Sequence, residues 1–122
     1  MTYAMYLDDV RNPEDTYGGH NPALVQFPYQ QGSHTSWVVC RDYDAAVKTF
    51  LQRGWPSMVS FDHDLGDNIP TGMDFARFLV EQDMDSDGMP DGFRYFVHSA
   101  NPCGSANITG LLTGYLKFKG VQ

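Results

Sequence analysis

Apolar residues along the chain fall into short continuous runs that alternate with stretches of helical period. Residues 3–7, Trp37-Val38-Val39-Cys40, Pro56-Ser57-Met58-Val59-Ser60-Phe61 and Phe93-Arg94-Tyr95-Phe96-Val97 read as buried strands. Between them, Tyr43, Ala46, Val47, Phe50 and Leu51 recur at i, i+3, i+4, i+7 and i+8. That spacing predicts a helix capped by Asp42 or Asp44 and stopped by Gly54 and Pro56. Thr71-Gly72-Met73-Asp74 has the form of a capping box and predicts a second helix to about Gln82, with Met73, Ala76, Leu79 and Val80 inward. A last helix is predicted from near Ser105, with Ile108, Leu111, Leu112, Tyr115 and Leu116 at core spacing. Residues 11–35 keep no period and carry Pro13, Gly18, Gly19, Pro22, Pro28 and Gly32, so they read as a long irregular excursion.

Strands alternating with amphipathic helices imply βαβ units and a mostly parallel sheet, an α/β fold in one domain spanning 1–122. Three of the strands run directly into polar chemistry: Asp8-Asp9, Asp62-His63-Asp64 and His98-Ser99-Ala100-Asn101. Right-handed crossovers bring those ends to one edge of a parallel sheet, where open α/β sheets bind ligands. In the middle strand, strict alternation would set Ser60, Asp62 and Asp64 on one face and His63 on the other; an early turn would let the three polar groups after Phe61 line one crevice.

Composition narrows the partners. The 122 residues are 42% hydrophobic and 14% aromatic, which suits a packed core rather than disorder. A formal net charge of −7 argues against a broad basic surface for duplex DNA. A nucleotide or an RNA terminus remains compatible, because a divalent cation can bridge phosphate to carboxylates. Cys40 and Cys103 make no CxxC or zinc pattern and read as reduced thiols. The start has no basic n-region and no membrane-length apolar run, so the expectation is a soluble cytoplasmic protein away from membranes.

Asp8, Asp9, Asp62 and Asp64 are hard oxygen donors suited to Mg²⁺ or Mn²⁺, though any of them could also cap a turn, and the division of roles between Asp62 and Asp64 stays open. His63 and His98 follow apolar strands beside those carboxylates, as a general acid and base pair for phosphodiester chemistry would. Arg11 and Arg41 sit just past two strands and are candidates to clamp a phosphate, with solvated ion pairs the plainer reading. Ser99, Asn101 and the Gly104-Ser105 turn precede a helix, either as an anion seat or as simple caps. Asp83, Asp85 and Asp87 before Gly88 have a calcium-loop look, but the twelfth position falls on Arg94 instead of a glutamate, and an acidic turn is the simpler reading.

Taken in order, Leu7-Asp8-Asp9-Val10-Arg11-Asn12-Pro13, Trp37-Val38-Val39-Cys40-Arg41, Ser60-Phe61-Asp62-His63-Asp64-Leu65-Gly66, Thr71-Gly72-Met73-Asp74 and Val97-His98-Ser99-Ala100-Asn101-Pro102 form a set. That set resembles the cyclic-phosphate processing receiver-like domain (cREC), over nearly the whole chain. The resemblance implies a receiver-like, flavodoxin-like three-layer fold with a mostly parallel four- to five-stranded sheet, in which residues 11–35 depart from receivers by replacing the regular first helix and second-strand entry with a long irregular insertion. It also implies a site built from Asp8, Asp9, Asp62, His63, Asp64 and His98, with Ser99 and Asn101 nearby, acting on cyclic phosphates such as 2′,3′-cyclic RNA ends. Asp8-Asp9 match the Mg²⁺-holding pair of receivers, and Gly72 stands eight residues beyond Asp64, the usual spacing from phosphoacceptor to helix glycine. The chain departs from receivers in lacking a lysine after a fifth strand, since Lys117 and Lys119 lie at the end of a helix. The added histidines favour a metal-dependent phosphoesterase; the alternatives are a phosphate-accepting signalling receiver and a nucleotide or RNA-end binding module.

Overall fold

A computed structural model describes residues 3–13, 37–66 and 69–120. Four strands, β1 (Ala4–Leu7), β2 (Trp37–Cys40), β3 (Met58–Phe61) and β4 (Arg94–Val97), form a sheet of order β2-β1-β3-β4 in which every pairing is parallel. The α/β receiver-like architecture read from the sequence is therefore present, with four strands among the described residues. Most of the irregular excursion, from residue 14 to 35, lies outside the described residues, as do His20 and His34.

β1 and β3 are buried at every position, as strands at the centre of a parallel sheet must be, which is why they read as continuous apolar runs without alternation. On one face, Met5, Leu7, Val59 and Phe61 meet three helices: α1 (Tyr43–Arg53), α2 (Gly72–Ser86) and α3 (Pro102–Lys119). On the other, Ala4, Tyr6 and Met58 are buried, with Trp37 and Phe96 packed on them. The described helices thus make one layer, so the described residues show two of the three layers expected. Phe75, fully buried between Phe61, Tyr43 and Phe78, anchors α2 to the sheet and contributes about 1.5–3 kcal/mol by burial alone.

The helix ends follow local chemistry. Asp42, not Asp44, caps α1 by accepting from the Ala45 N–H, and Gly54 ends the helix at a φ of 85°. Leu51, expected inward, is 70% exposed at the margin of the apolar stripe, whereas Ala46 and Phe50 are buried. The Thr71–Asp74 capping box opens α2 as the sequence predicts. That helix runs to Ser86 rather than stopping near Gln82, because Asp83 points inward and finds Lys119 and Tyr115 on α3. α3 begins at Pro102 rather than near Ser105: Asn101 caps the Gly104 N–H, and proline suits the first helical turn. No helix among the described residues is long and apolar enough to cross a membrane.

Candidate functional site

The pairing register decides what meets at the sheet edge. Leu7 pairs with both Cys40 and Phe61, and Phe61 pairs with Val97, so the four strands end level. The next residue in each, Asp8, Arg41, Asp62 and His98, therefore stands in one row. Backbone hydrogen bonds from Asp8 N to Cys40 O, Asp62 N to Leu7 O and His98 N to Phe61 O carry the ladder one residue further and fix that row. The expected convergence of strand ends is real, and it rests on register.

Carboxylate oxygens of Asp8, Asp9 and Asp62 lie within 4.8 Å of one another. Asp8 is fully buried and accepts from the Val10 and Arg11 backbone N–H groups, the Arg11 Nε at 2.9 Å and the His98 Nε2 at 3.0 Å. Burial acts to raise its carboxyl, but these donors and the Arg11 charge outweigh it and hold the group below the usual aspartate range. The Arg11 guanidinium also reaches Asp62, 3.6 Å away. Arg41 faces elsewhere. It donates to the carbonyls of Asp8 and Arg11 and to the Asn12 side chain, so it ties down the loop leaving β1.

Two histidines occupy different settings. His98, whose side chain is only 4% exposed, lies parallel on the Tyr6 ring with centroids 4.5 Å apart, its Nδ1 2.7 Å from the Ser60 hydroxyl. Burial pushes its pKa down, against the pull of Asp8. His63 turns the other way, with Nδ1 2.8 Å from Asp64. Asp64 also accepts from the Asn101 amide at 3.2 Å, and its carboxyl is held low by His63 first and Asn101 second. Two glycines admit this loop. A Cβ on Gly72 would strike the Asp62 carbonyl, and one on Gly104 would strike the His63 ring, so the first turns of α2 and α3 close directly on residues 62–63.

The chain matches the model of the cyclic-phosphate processing receiver domain over residues 3–114. The chain belongs to that family. No curated protein and no solved structure matches it.

Within this receiver domain the two candidate aspartates of β3 separate. Asp62 joins Asp8 and Asp9, while the exposed Asp64 joins His63 and Asn101. The donor set suits a divalent ion: three hard oxygens from two adjacent strand ends, already crossed by a cation, the Arg11 guanidinium. Ser99 accepts from the Asn101 N–H, and Asn101 caps α3, so both shape the entry to that helix, and Asn101 also reaches Asp64. The Asp83, Asp85, Asp87 run is no turn. Residues 83–86 finish α2, Asp87 is its left-handed cap, and the Asp83 oxygens are taken by Met89 N–H, Tyr115 and Lys119. Sequence reasoning passed over Tyr6, although its alternation with Asp8 along β1 signals a shared face, and gave Ser60 no role beyond the face it shares with Asp62.

Proposed function

We propose that this receiver domain is a metal-dependent phosphoesterase that opens cyclic phosphates, with 2′,3′-cyclic RNA ends as the substrate class. The observation that carries the reading is the pairing, at one sheet edge, of a three-carboxylate cluster with a histidine–carboxylate dyad. Asp8, Asp9 and Asp62 would hold Mg²⁺ or Mn²⁺. Bound there, the ion supplies charge neutralisation for the phosphate and acidifies a water. An ionised Asp64 only accepts hydrogen bonds, so it keeps the His63 proton on Nδ1 and leaves the Nε2 lone pair free of that bond. Nε2 takes the proton of the attacking water as the new P–O bond forms. It returns that proton to the ribose oxygen released when the ring P–O bond breaks, leaving a phosphomonoester. Asn101 steadies the dyad through Asp64.

The test uses a short RNA ending in a 2′,3′-cyclic phosphate, with Mn²⁺ or with EDTA, read by the mass of the terminus. Wild type should open the ring only with the ion. His63→Gln should lose about 10²–10⁴-fold in rate, the ordinary contribution of a positioned acid–base group, while binding Mn²⁺ as before. Absence of opening with every common divalent ion sinks the enzyme reading and leaves a binding module.

A further inference from the structure

The geometry points to His98 as a positioning residue: in a buried relay, the Ser60 hydroxyl anchors its Nδ1, and its Nε2 donates to the Asp8 carboxylate and locks it in orientation for a divalent cation. This rests on the metal reading above, and it removes His98 from direct contact with substrate. Three strands contribute. Asp8 follows β1, Ser60 lies in β3, and His98 follows β4 and reaches across β3 to Asp8. Ser60 and the Asp8 side chain are fully buried, and the His98 ring is sandwiched onto Tyr6 with an interplanar angle of 2°.

The direction of each hydrogen bond follows from donor and acceptor chemistry. An ionised Asp8 accepts only, so the His98 hydrogen must sit on Nε2. In the neutral ring Nδ1 is then an acceptor, and the Ser60 hydroxyl has to donate to it. The carboxylate thus sets the tautomer, and the Ser60 hydroxyl, turned to donate to Nδ1, holds the ring on the Tyr6 face so that Nε2 stays aimed at Asp8. Histidines that orient a ligating carboxylate work as outer-shell partners, and loss of such partners ordinarily weakens metal binding 10–100-fold.

Nitrogen NMR of the metal-free chain reads the tautomer directly, and Mn²⁺ titration reads the consequence. Wild type should show hydrogen on Nε2 and none on Nδ1 of His98, and Ser60→Ala should keep that tautomer while binding Mn²⁺ about 10-fold more weakly as the ring loses its anchor. His98→Leu should bind Mn²⁺ about 10–100-fold more weakly. His98→Gln, which restores a donor near the Nε2 position, should recover to within about threefold of wild type, a rescue that mere packing would not produce. Hydrogen on Nδ1 in wild type overturns the relay, and so does unchanged Mn²⁺ affinity in both Ser60→Ala and His98→Leu. If His98→Leu fails to fold, the wild-type tautomer and Ser60→Ala still decide. A wild type that takes up no Mn²⁺ overturns the metal reading and the proposal together, whereas normal uptake with a wrong tautomer overturns the proposal alone.

Discussion

Two aspartates, Asp8 and Asp83, have fully buried side chains at opposite ends of the molecule, and their surroundings differ in one respect that matters. Asp83, in the last turn of α2, meets the Lys119 ammonium at 2.6 Å, the Tyr115 hydroxyl and the Met89 N–H. The buried carboxylate faces one cation, and the second carboxylate that Lys119 reaches, Asp87 at 3.4 Å, is 88% exposed to solvent. Asp8 meets one guanidinium too, but Asp9 and Asp62 crowd the same space. Three carboxylates against one guanidinium leave two negative charges uncompensated. Equal burial with unequal charge balance distinguishes a brace from a binding site.

The sharpest way to break the comparison is Lys119→Met, which strands the Asp83 charge. Removing one partner of a buried pair ordinarily costs 3–5 kcal/mol; because Lys119 is partly exposed we expect about 3 kcal/mol, read from urea unfolding. Replacing both, as Asp83→Leu with Lys119→Met, should recover most of it. Recovery that fails would mean the pair does more than neutralise itself. Asp62→Asn should behave in the opposite sense. It relieves repulsion, so folding should be unharmed, while Mn²⁺ affinity falls by about a hundredfold or more. A destabilised Asp62→Asn with intact Mn²⁺ affinity would make Asp62 a second brace.

Acidity separates the two poles further. Both carboxyls are held below the ordinary aspartate value of 3.8, so each contributes stability that is whole above about pH 4 and is lost as pH falls through the depressed folded values. The Asp83 pole has an alkaline limb as well. Burial, then the hydrogen bond to Asp83 and its charge, push Tyr115 up to about 12, and Lys119 is raised chiefly by its bond to Asp83. Folded values above the unfolded ones give stability that is whole below about pH 10 and lost as pH rises through them. Urea midpoints followed from about pH 9 to 12 should therefore fall in wild type and in Asp8→Asn, and stay flatter in Asp83→Asn. Identical slopes in all three would remove the link between Asp83 and its partners.

This contrast also explains what the sequence could and could not reveal. Strand runs, the Asp42 cap and the Thr71–Asp74 box are local signals, and each matches the structure. Level strand ends could be anticipated because a parallel sheet with right-handed crossovers leaves little choice. Partner choice is another matter. Nothing local to Asp83-Met84-Asp85-Ser86-Asp87 signals that Lys119 and Tyr115 will meet the first aspartate, so a helical turn looks like an acidic turn. Likewise His63 and His98 follow equally apolar strands, yet Gly104 opens a seat for one ring while Tyr6 and Ser60 enclose the other. Arg41 looked as available as Arg11 until the loop leaving β1 supplied carbonyls for it.

Arg11 gives the smallest expected effect and the finest test of the charge argument. An ionised carboxylate offers about four lone-pair sites, and those of Asp8 are met by the Val10 N–H, the Arg11 N–H, the Arg11 Nε and the His98 Nε2. Three of these donors belong to the backbone or to a buried ring. The fourth sits on a side chain that is 37% exposed, so the guanidinium is the donor that a divalent ion can displace. Arg11→Gln removes that competitor. We expect Mn²⁺ to bind about three- to fivefold more tightly, the equivalent of roughly 1 kcal/mol for a partly exposed pair, and the metal-free fold to lose a similar amount. Tighter binding with lower metal-free stability identifies Arg11 as the cation that keeps the cluster folded until an ion replaces it. Weaker binding would make it a support for the ion instead, and the cluster would then resemble Asp83 in needing its own cation at all times.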